Sequence, residues 1–260
     1  YRDQWVGIQD APRTYYLSVQ GPIVKQTMGI GGTIFSDVVG QTRRNGFQAS
    51  YAYHLKVSED YKLSFALSTG MLQFAIDGSK IDLDQANDIA LSGGLMSLWS
   101  LDFGSGVRFS AKNWHAGIYV PQIAGLKAQF FNDYSETESV LARHYYINGG
   151  YRYDFDDTWA IDANFLGKIV GSIDIYDTQV RGIYKDMVWL GSSIRYAVVS
   201  GASVQAIGFM TGYQFENNLS IGYAYDLNVG KIGAATSGSH EIVLGIRFNK
   251  PNKAPLIPAE

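Results

Sequence analysis

Apolar and polar residues alternate with a period of two along most of this chain, which puts neighbouring side chains on opposite faces of an extended strand. The clearest stretch sets Leu219, Ile221, Tyr223, Tyr225 and Leu227 against Ser220, Gly222, Ala224, Asp226 and Asn228. Leu63, Phe65 and Leu67 alternate with Lys62, Ser64, Ala66 and Ser68. Phe47, Ala49, Tyr51, Tyr53 and Leu55 alternate with Gln48, Ser50, Ala52, His54 and Lys56. Leu101, Phe103, Val107 and Phe109 oppose Asp102, Gly104, Gly106 and Arg108. Trp159, Ile161, Ala163 and Phe165 oppose Ala160, Asp162, Asn164 and Lys168, and Tyr151 and Tyr153 flank Arg152. No useful window carries the 3.6-residue period of a helix, so the pattern predicts an all-β chain.

Alternation alone fits a soluble sandwich and a transmembrane barrel equally, because the two differ only in which face meets water. Strand length and connections separate them. Strands are expected near 13–20, 27–35, 44–56, 61–76, 97–110, 114–120, 143–154, 158–169, 173–182, 186–198, 202–214, 219–228 and 238–248. Most exceed the usual globular length of about 5–6 residues and are long enough to cross a bilayer when tilted. One set of connections is short and polar: Ser58-Glu59-Asp60, Ala111-Lys112-Asn113, Asp154-Phe155-Asp156-Asp157 and Glu216-Asn217-Asn218. The other set contains all the long stretches, 77–96, 121–142 and 229–237. Short periplasmic turns opposite longer outer loops are the bacterial outer-membrane pattern. Thirteen strands is odd where such barrels are even, and Tyr1–Trp5 supply a short partner strand. The expectation is one transmembrane antiparallel β-barrel of about 14 strands, an up-and-down meander with a periplasmic C-terminus.

Composition agrees. The chain has 260 residues, 29 of them glycine and 14% aromatic, with only 17% charged where about a quarter is usual. The absence of cysteine removes disulfide scaffolds, cysteine metal sites and thiol catalysis. A net charge of −3 argues against a nucleic-acid partner. No run of about 18 apolar residues is present to form a membrane helix.

Several stretches resemble the PorP/SprF family of outer-membrane proteins, associated with the type IX secretion system of Bacteroidetes. They are Tyr1-Arg2-Asp3-Gln4-Trp5-Val6-Gly7 leading to Ala11-Pro12, and Asp102-Phe103-Gly104-Ser105-Gly106-Val107 followed by Asn113-Trp114-His115-Ala116-Gly117. His144-Tyr145-Tyr146 running to Gly150-Tyr151-Arg152 is a third. The most specific is Tyr225-Asp226-Leu227 followed by the closing strand from Ser237-Gly238-Ser239-His240-Glu241 to Gly245-Ile246-Arg247-Phe248. A terminal alternating strand ending in Phe looks like the signal read by barrel-insertion machinery. Two departures stand out: the family's signal peptide and Asn-Pro-Ala-like start are absent, and Asn249–Glu260 extends past the closing motif. The first reads as a processed or clipped chain. Residues 1–248 are expected to form the barrel and 249–260 a Pro-containing periplasmic tail.

The resemblance implies a non-enzymatic partner of a large type IX-secreted surface adhesin of the gliding type. Such a protein binds, anchors or helps export the adhesin, through the adhesin's C-terminal region, with outer-membrane lipid and periplasmic type IX components as further contacts. It supplies no site residues.

The residues themselves offer little catalytic chemistry. His54, His115, His144 and His240 lack metal-binding spacing, so no metal or cofactor is expected. Ser239 and His240 are adjacent on a strand and face opposite sides, which separates nucleophile from base. Gly29-Ile30-Gly31-Gly32 lacks the third glycine of a phosphate loop and reads as close packing in a curved wall. Tyr15-Tyr16, Phe130-Phe131 and Tyr145-Tyr146 read as interface anchors. The expected lumen-facing partner candidates are His54, Lys56, Asp102, Arg108, Arg152, Asp162, Lys168 and Asp226, with Arg247 beside them. They carry both signs, whereas an ion pore favours one. About fourteen strands enclose more than wall side chains fill, so loops 77–96 and 121–142 with an adhesin segment are expected to cap the lumen. The alternative is an outer-membrane diffusion channel or small-solute transporter.

Overall fold

A computed structural model of the chain describes residues 1–24, 27–80, 94–124, 142–199 and 201–248. Fourteen strands follow in order: β1 (Arg2–Asp3), β2 (Arg13–Val24), β3 (Met28–Val39), β4 (Thr42–Lys56), β5 (Lys62–Asp77), β6 (Leu95–Ser110) and β7 (Trp114–Val120). β8 (Tyr145–Asp154), β9 (Trp159–Val170), β10 (Ile173–Tyr184), β11 (Val188–Val198), β12 (Ala202–Gln214), β13 (Leu219–Asn228) and β14 (Ser239–Ile246) complete them. Each pairs antiparallel with its neighbours in sequence, and β1 joins β14 to β2, so the sheet closes into a barrel. The expected meander is therefore present, with Tyr1–Trp5 contributing the fourteenth strand.

The inverted polarity follows from the burial pattern. Ile221, Tyr223 and Phe65 are 44%, 40% and 46% exposed on the outer surface, while Asp226 on the inner face of β13 is 7% exposed. A soluble sandwich would have buried the first three. The buried apolar residues are few and mostly small: Leu72, Ala75, Ala160, Ile183 and Ala206. The barrel is held by its hydrogen-bond ladders and a polar interior rather than by a greasy core.

Aromatic side chains gather at two heights. Near the short turns Tyr61 stacks on Phe109 at 5.6 Å, Phe109 meets Trp114 at 5.5 Å, and Trp159 meets Tyr184 at 4.8 Å. Near the long loops Tyr1 meets Tyr15 at 5.0 Å, with Trp99, Tyr145 and Tyr225 at a similar level. On β6 alone Trp99 and Phe109 mark both belts. Ten residues at about 3.4 Å each, tilted about 40°, separate them by about 26 Å, which matches the apolar band of a membrane barrel of about 25 Å.

Strand ends differ from expectation by up to four residues, most at the ends of β2 and β3. Gly40 (φ 56°) opens a two-residue turn, which carries β3 on to Val39 where the expected strand ends at 35, and Gly171 (φ 60°) opens another before β10, which starts at Ile173 as expected. β1 spans two residues and bridges the wall only at Arg2 and Asp3; beyond it β14 and β2 make no ladder with each other among the described residues. The loop segments 81–93 and 125–141, including Phe130-Phe131, and the expected tail 249–260 lie outside the described residues.

Leu67, 65% exposed and midway between the belts on β5, tests the outward-facing surface. Leu67→Arg is expected to lower stability in phosphatidylcholine vesicles by about 2–4 kcal/mol, read from guanidinium unfolding. An unchanged midpoint would place that face away from lipid.

Candidate functional site

The inward-facing positions of β9 to β14 and β1 carry charges that join into one array. On β10 the inner face reads Ile175, Asp177, Gln179, Arg181 and Ile183. Asp177 receives Arg195 Nε at 2.7 Å and Lys168 Nζ at 3.3 Å. Arg195 reaches on to Asp226 Oδ2 at 3.2 Å, and that same oxygen accepts from Arg2 at 2.6 Å. Arg2 then donates to Glu241 Oε2 at 2.8 Å. The result is one array, Lys168–Asp177–Arg195–Asp226–Arg2–Glu241, in which three cations alternate with three carboxylates.

The array crosses β12 without a charge from it because β12 presents Gly208 there. A Cβ at Gly208 would lie 2.2 Å from Ser193 Oγ and 2.9 Å from Asp226 Oδ1. Any larger residue would push the Arg195–Asp226 contact apart. The same device seats the most buried pair. Arg181 bonds Asp162, their side chains 7% and 9% exposed, and Asn164 donates to Asp162 at 3.0 Å. Arg181 lies 5.4 Å from the Trp189 ring centre, over the space that a side chain on Gly191 would fill. Its Nε has no hydrogen-bond partner.

The opposite wall, β3 to β8, is built differently. Tyr119 lies across the gap left by Gly104; its hydroxyl accepts from Gln48 Nε2 at 3.0 Å and shares a 2.9 Å bond with Ser68. His54 Nδ1 meets Ser64 Oγ at 2.8 Å. Hydroxyl and amide bonds are interspersed here with the inward charges Asp37, Arg44, Asp102 and Arg108, and Asp102 accepts the Gln122 backbone N–H at 3.0 Å. A cavity of about 520 Å³ opens against the charged wall, lined by Arg2, Asp177, Gln179, Arg181, Arg195 and Asp226 among others.

Of the sequence-derived candidates, Asp162, Lys168 and Asp226 sit in the charged wall, while His54, Asp102 and Arg108 line the quieter one. Two face inward at one end of the barrel. Lys56 pairs with Glu59 in the adjoining short turn at 3.2 Å, and Arg152 pairs with Asp154 and with Asp186 of the β10–β11 turn. Both belong to the short-turn rim, because alternation gives the face of a strand but not the height along it. Arg247 does border the cavity. Sequence reasoning missed Arg2, Asp177, Arg181, Arg195 and Glu241. The period-two rule applied to β10 and β11 would have found three of them.

Ser239 is buried, accepting the Trp5 N–H at 3.2 Å, whereas His240 faces outward to Tyr223 Oη at 2.7 Å. They form no nucleophile–base pair. Tyr15 and Tyr145 do face outward, but Tyr16 and Tyr146 project into the lumen, so only one member of each pair is a lipid-side anchor.

The sequence profile of the family described as "Type IX secretion system membrane protein PorP/SprF" matches residues 1–246. No curated protein is detectably similar to the chain. Among solved structures it is similar to BamA from Haemophilus ducreyi lacking POTRA domains 1–3, with 10% identity and a TM-score of 0.46. That likeness covers 90% of this chain and only 62% of that truncated BamA chain. It is also similar to the toluene transporter TbuX of Ralstonia pickettii, with 11% identity, 94% and 84% coverage and a TM-score of 0.49. A Rhodopseudomonas blastica porin mutant gives 10% identity, 94% and 96% coverage and a TM-score of 0.39.

The buried pair gives a double-mutant test. Asp162→Leu or Arg181→Met alone leaves an uncompensated group and is expected to cost about 3–5 kcal/mol in vesicle unfolding. Asp162→Leu with Arg181→Met together is expected to cost less than either single change. Losses that simply add would show that the two do not depend on each other.

Proposed function

Because this chain belongs to the PorP/SprF family of type IX secretion system membrane proteins, we propose that it is a non-enzymatic outer-membrane barrel whose lumen binds the C-terminal region of a large secreted surface adhesin. In this role it anchors the adhesin or supports its export. The short turns and the C-terminus then face the periplasm, where other type IX components are within reach, and the long loops face outward with the cargo.

The observation that carries this reading is the alternating array from Lys168 to Glu241 beside an open cavity. A polypeptide offers both donors and carboxylates along its length, and a wall of alternating sign can match both. A diffusion channel selective for one sign of ion gains nothing from such balance.

A photo-crosslinking residue at Gln179, which lines the cavity, is expected to capture a very large secreted polypeptide in native membranes. The same probe at Val180, next along β10 and facing outward, is expected to capture none. Failure at Gln179, together with large stable conductance of the purified barrel in planar bilayers, would favour the diffusion channel.

A further inference from the structure

The outer surface of β2 to β6 near the long loops departs from the aromatic pattern of the rest of that belt. Three rows can be read from the strand register. The lowest is apolar: Leu17, Ile34, Phe47, Met71 and Leu101 stand opposite one another in turn across β2, β3, β4, β5 and β6. The next row runs Tyr15, Ser36, Asn45, Gln73 and Trp99. The rim row begins Arg13, Val38 and Arg43.

The middle row sits at the level of the aromatic belt, with Tyr15 at one end and Trp99 at the other. Between them lies a directed chain of polar groups: Ser36 Oγ donates to Asn45 Oδ1 at 2.7 Å, and Asn45 Nδ2 donates to Gln73 Oε1 at 2.9 Å. That leaves the Gln73 amide N–H groups as outward donors beside Trp99. A polar row on a lipid-facing wall is costly unless something polar in the membrane meets it.

A cleft of about 430 Å³ opens on these rows, lined by Tyr15, Leu17, Ile34, Phe47, Met71 and Trp99 around Ser36 and Asn45. The rim cations complete the pattern. Arg13 and Arg43 are both exposed and point the same way, two strands and so about 10 Å apart, about 7 Å above the polar row. Asp3 stands opposite Arg13 in register but makes no ion pair with it, and no carboxylate stands in register beside Arg43.

From bilayer centre to surface the wall therefore presents an apolar trough, hydrogen-bond donors and then two guanidiniums. Acyl chains, ester or sugar oxygens and a phosphate occur in that order in one class of molecule. We propose that the outer face of β2–β6 is a docking site for a phosphate-bearing lipid of the leaflet on the long-loop side, with the phosphate held between Arg13 and Arg43. This site is independent of the lumen and of any cargo.

The test is native mass spectrometry of the detergent-purified full chain titrated with dioleoylphosphatidylglycerol or dioleoylphosphatidylcholine. The first phosphatidylglycerol is expected to bind at least about tenfold more tightly than phosphatidylcholine, and R13Q/R43Q to abolish that preference. Met71→Trp, which fills the trough and keeps both charges, is expected to lower occupancy by phosphatidylglycerol as well, and it serves if the double variant does not fold. Equal binding of the two lipids, or undiminished phosphatidylglycerol occupancy in whichever variants fold, would overturn the proposal.

Discussion

Inside a bilayer no water is available to an exposed backbone N–H or C=O, and each unpaired group costs several kcal/mol. A sheet can therefore cross only if it closes on itself, and most of what is seen here follows from that closure. Fourteen strands give a circumference too large for wall side chains to fill, so the interior stays partly open and polar. The outer face must then be apolar along its whole height between the belts. The join that closes the ring is also its slightest part: β1 contributes two residues. Its Arg2 reaches past β14 to Asp226 on β13 as well as to Glu241, so an ion-pair array holds the join where the ladder is shortest.

A polar interior raises its own problem, since long charged side chains crowd one another at the inner surface. The chain solves it with glycine on the neighbouring strand. Gly208 lets Arg195 meet Asp226, Gly191 makes room for the stem of Arg181, and Gly104 lets Tyr119 lie flat. These residues are needed for close approach rather than for backbone freedom, which accounts for glycines in strand interiors where they otherwise weaken a sheet. The glycine-rich composition is in this sense the counterpart of the charged lumen.

The face of each strand was legible in the sequence because period two is a strict geometric rule, and β13 follows it without exception from Leu219 to Asn228. Height was not legible. Lys56 and Arg152 lie on inner faces, as their parity requires, yet both sit at the short-turn rim and bond turn carboxylates. β10 was under-read because Asp174, Asp177 and Arg181 break up its apolar run, so its inner charges did not stand out against a clean greasy face. Arg2 was hidden by the brevity of its strand. The proposed capping by loops 77–96 and 121–142 falls largely on residues outside those described.

Two asymmetries coincide in the finished barrel. β4, β5 and β6 have 15, 16 and 16 residues, whereas β8 to β14 have 8 to 13, so one side of the wall is taller. The tall side carries hydroxyl and amide bonds beside Arg44, Asp102 and Arg108 on its inner surface and, on its outside, the polar row and rim arginines. The shorter side carries the charge array. Strands longer than the 9–11 residues a bilayer requires must project beyond it, and they project where the outer face changes from apolar to polar. Under the proposed function, a segment entering from the long-loop end would meet hydroxyls, amides and scattered charges on the tall side and an ion-paired alternating array on the other. Direction and register of binding would then be set by that array, because its linked charges stand in a fixed order that differs from its reverse.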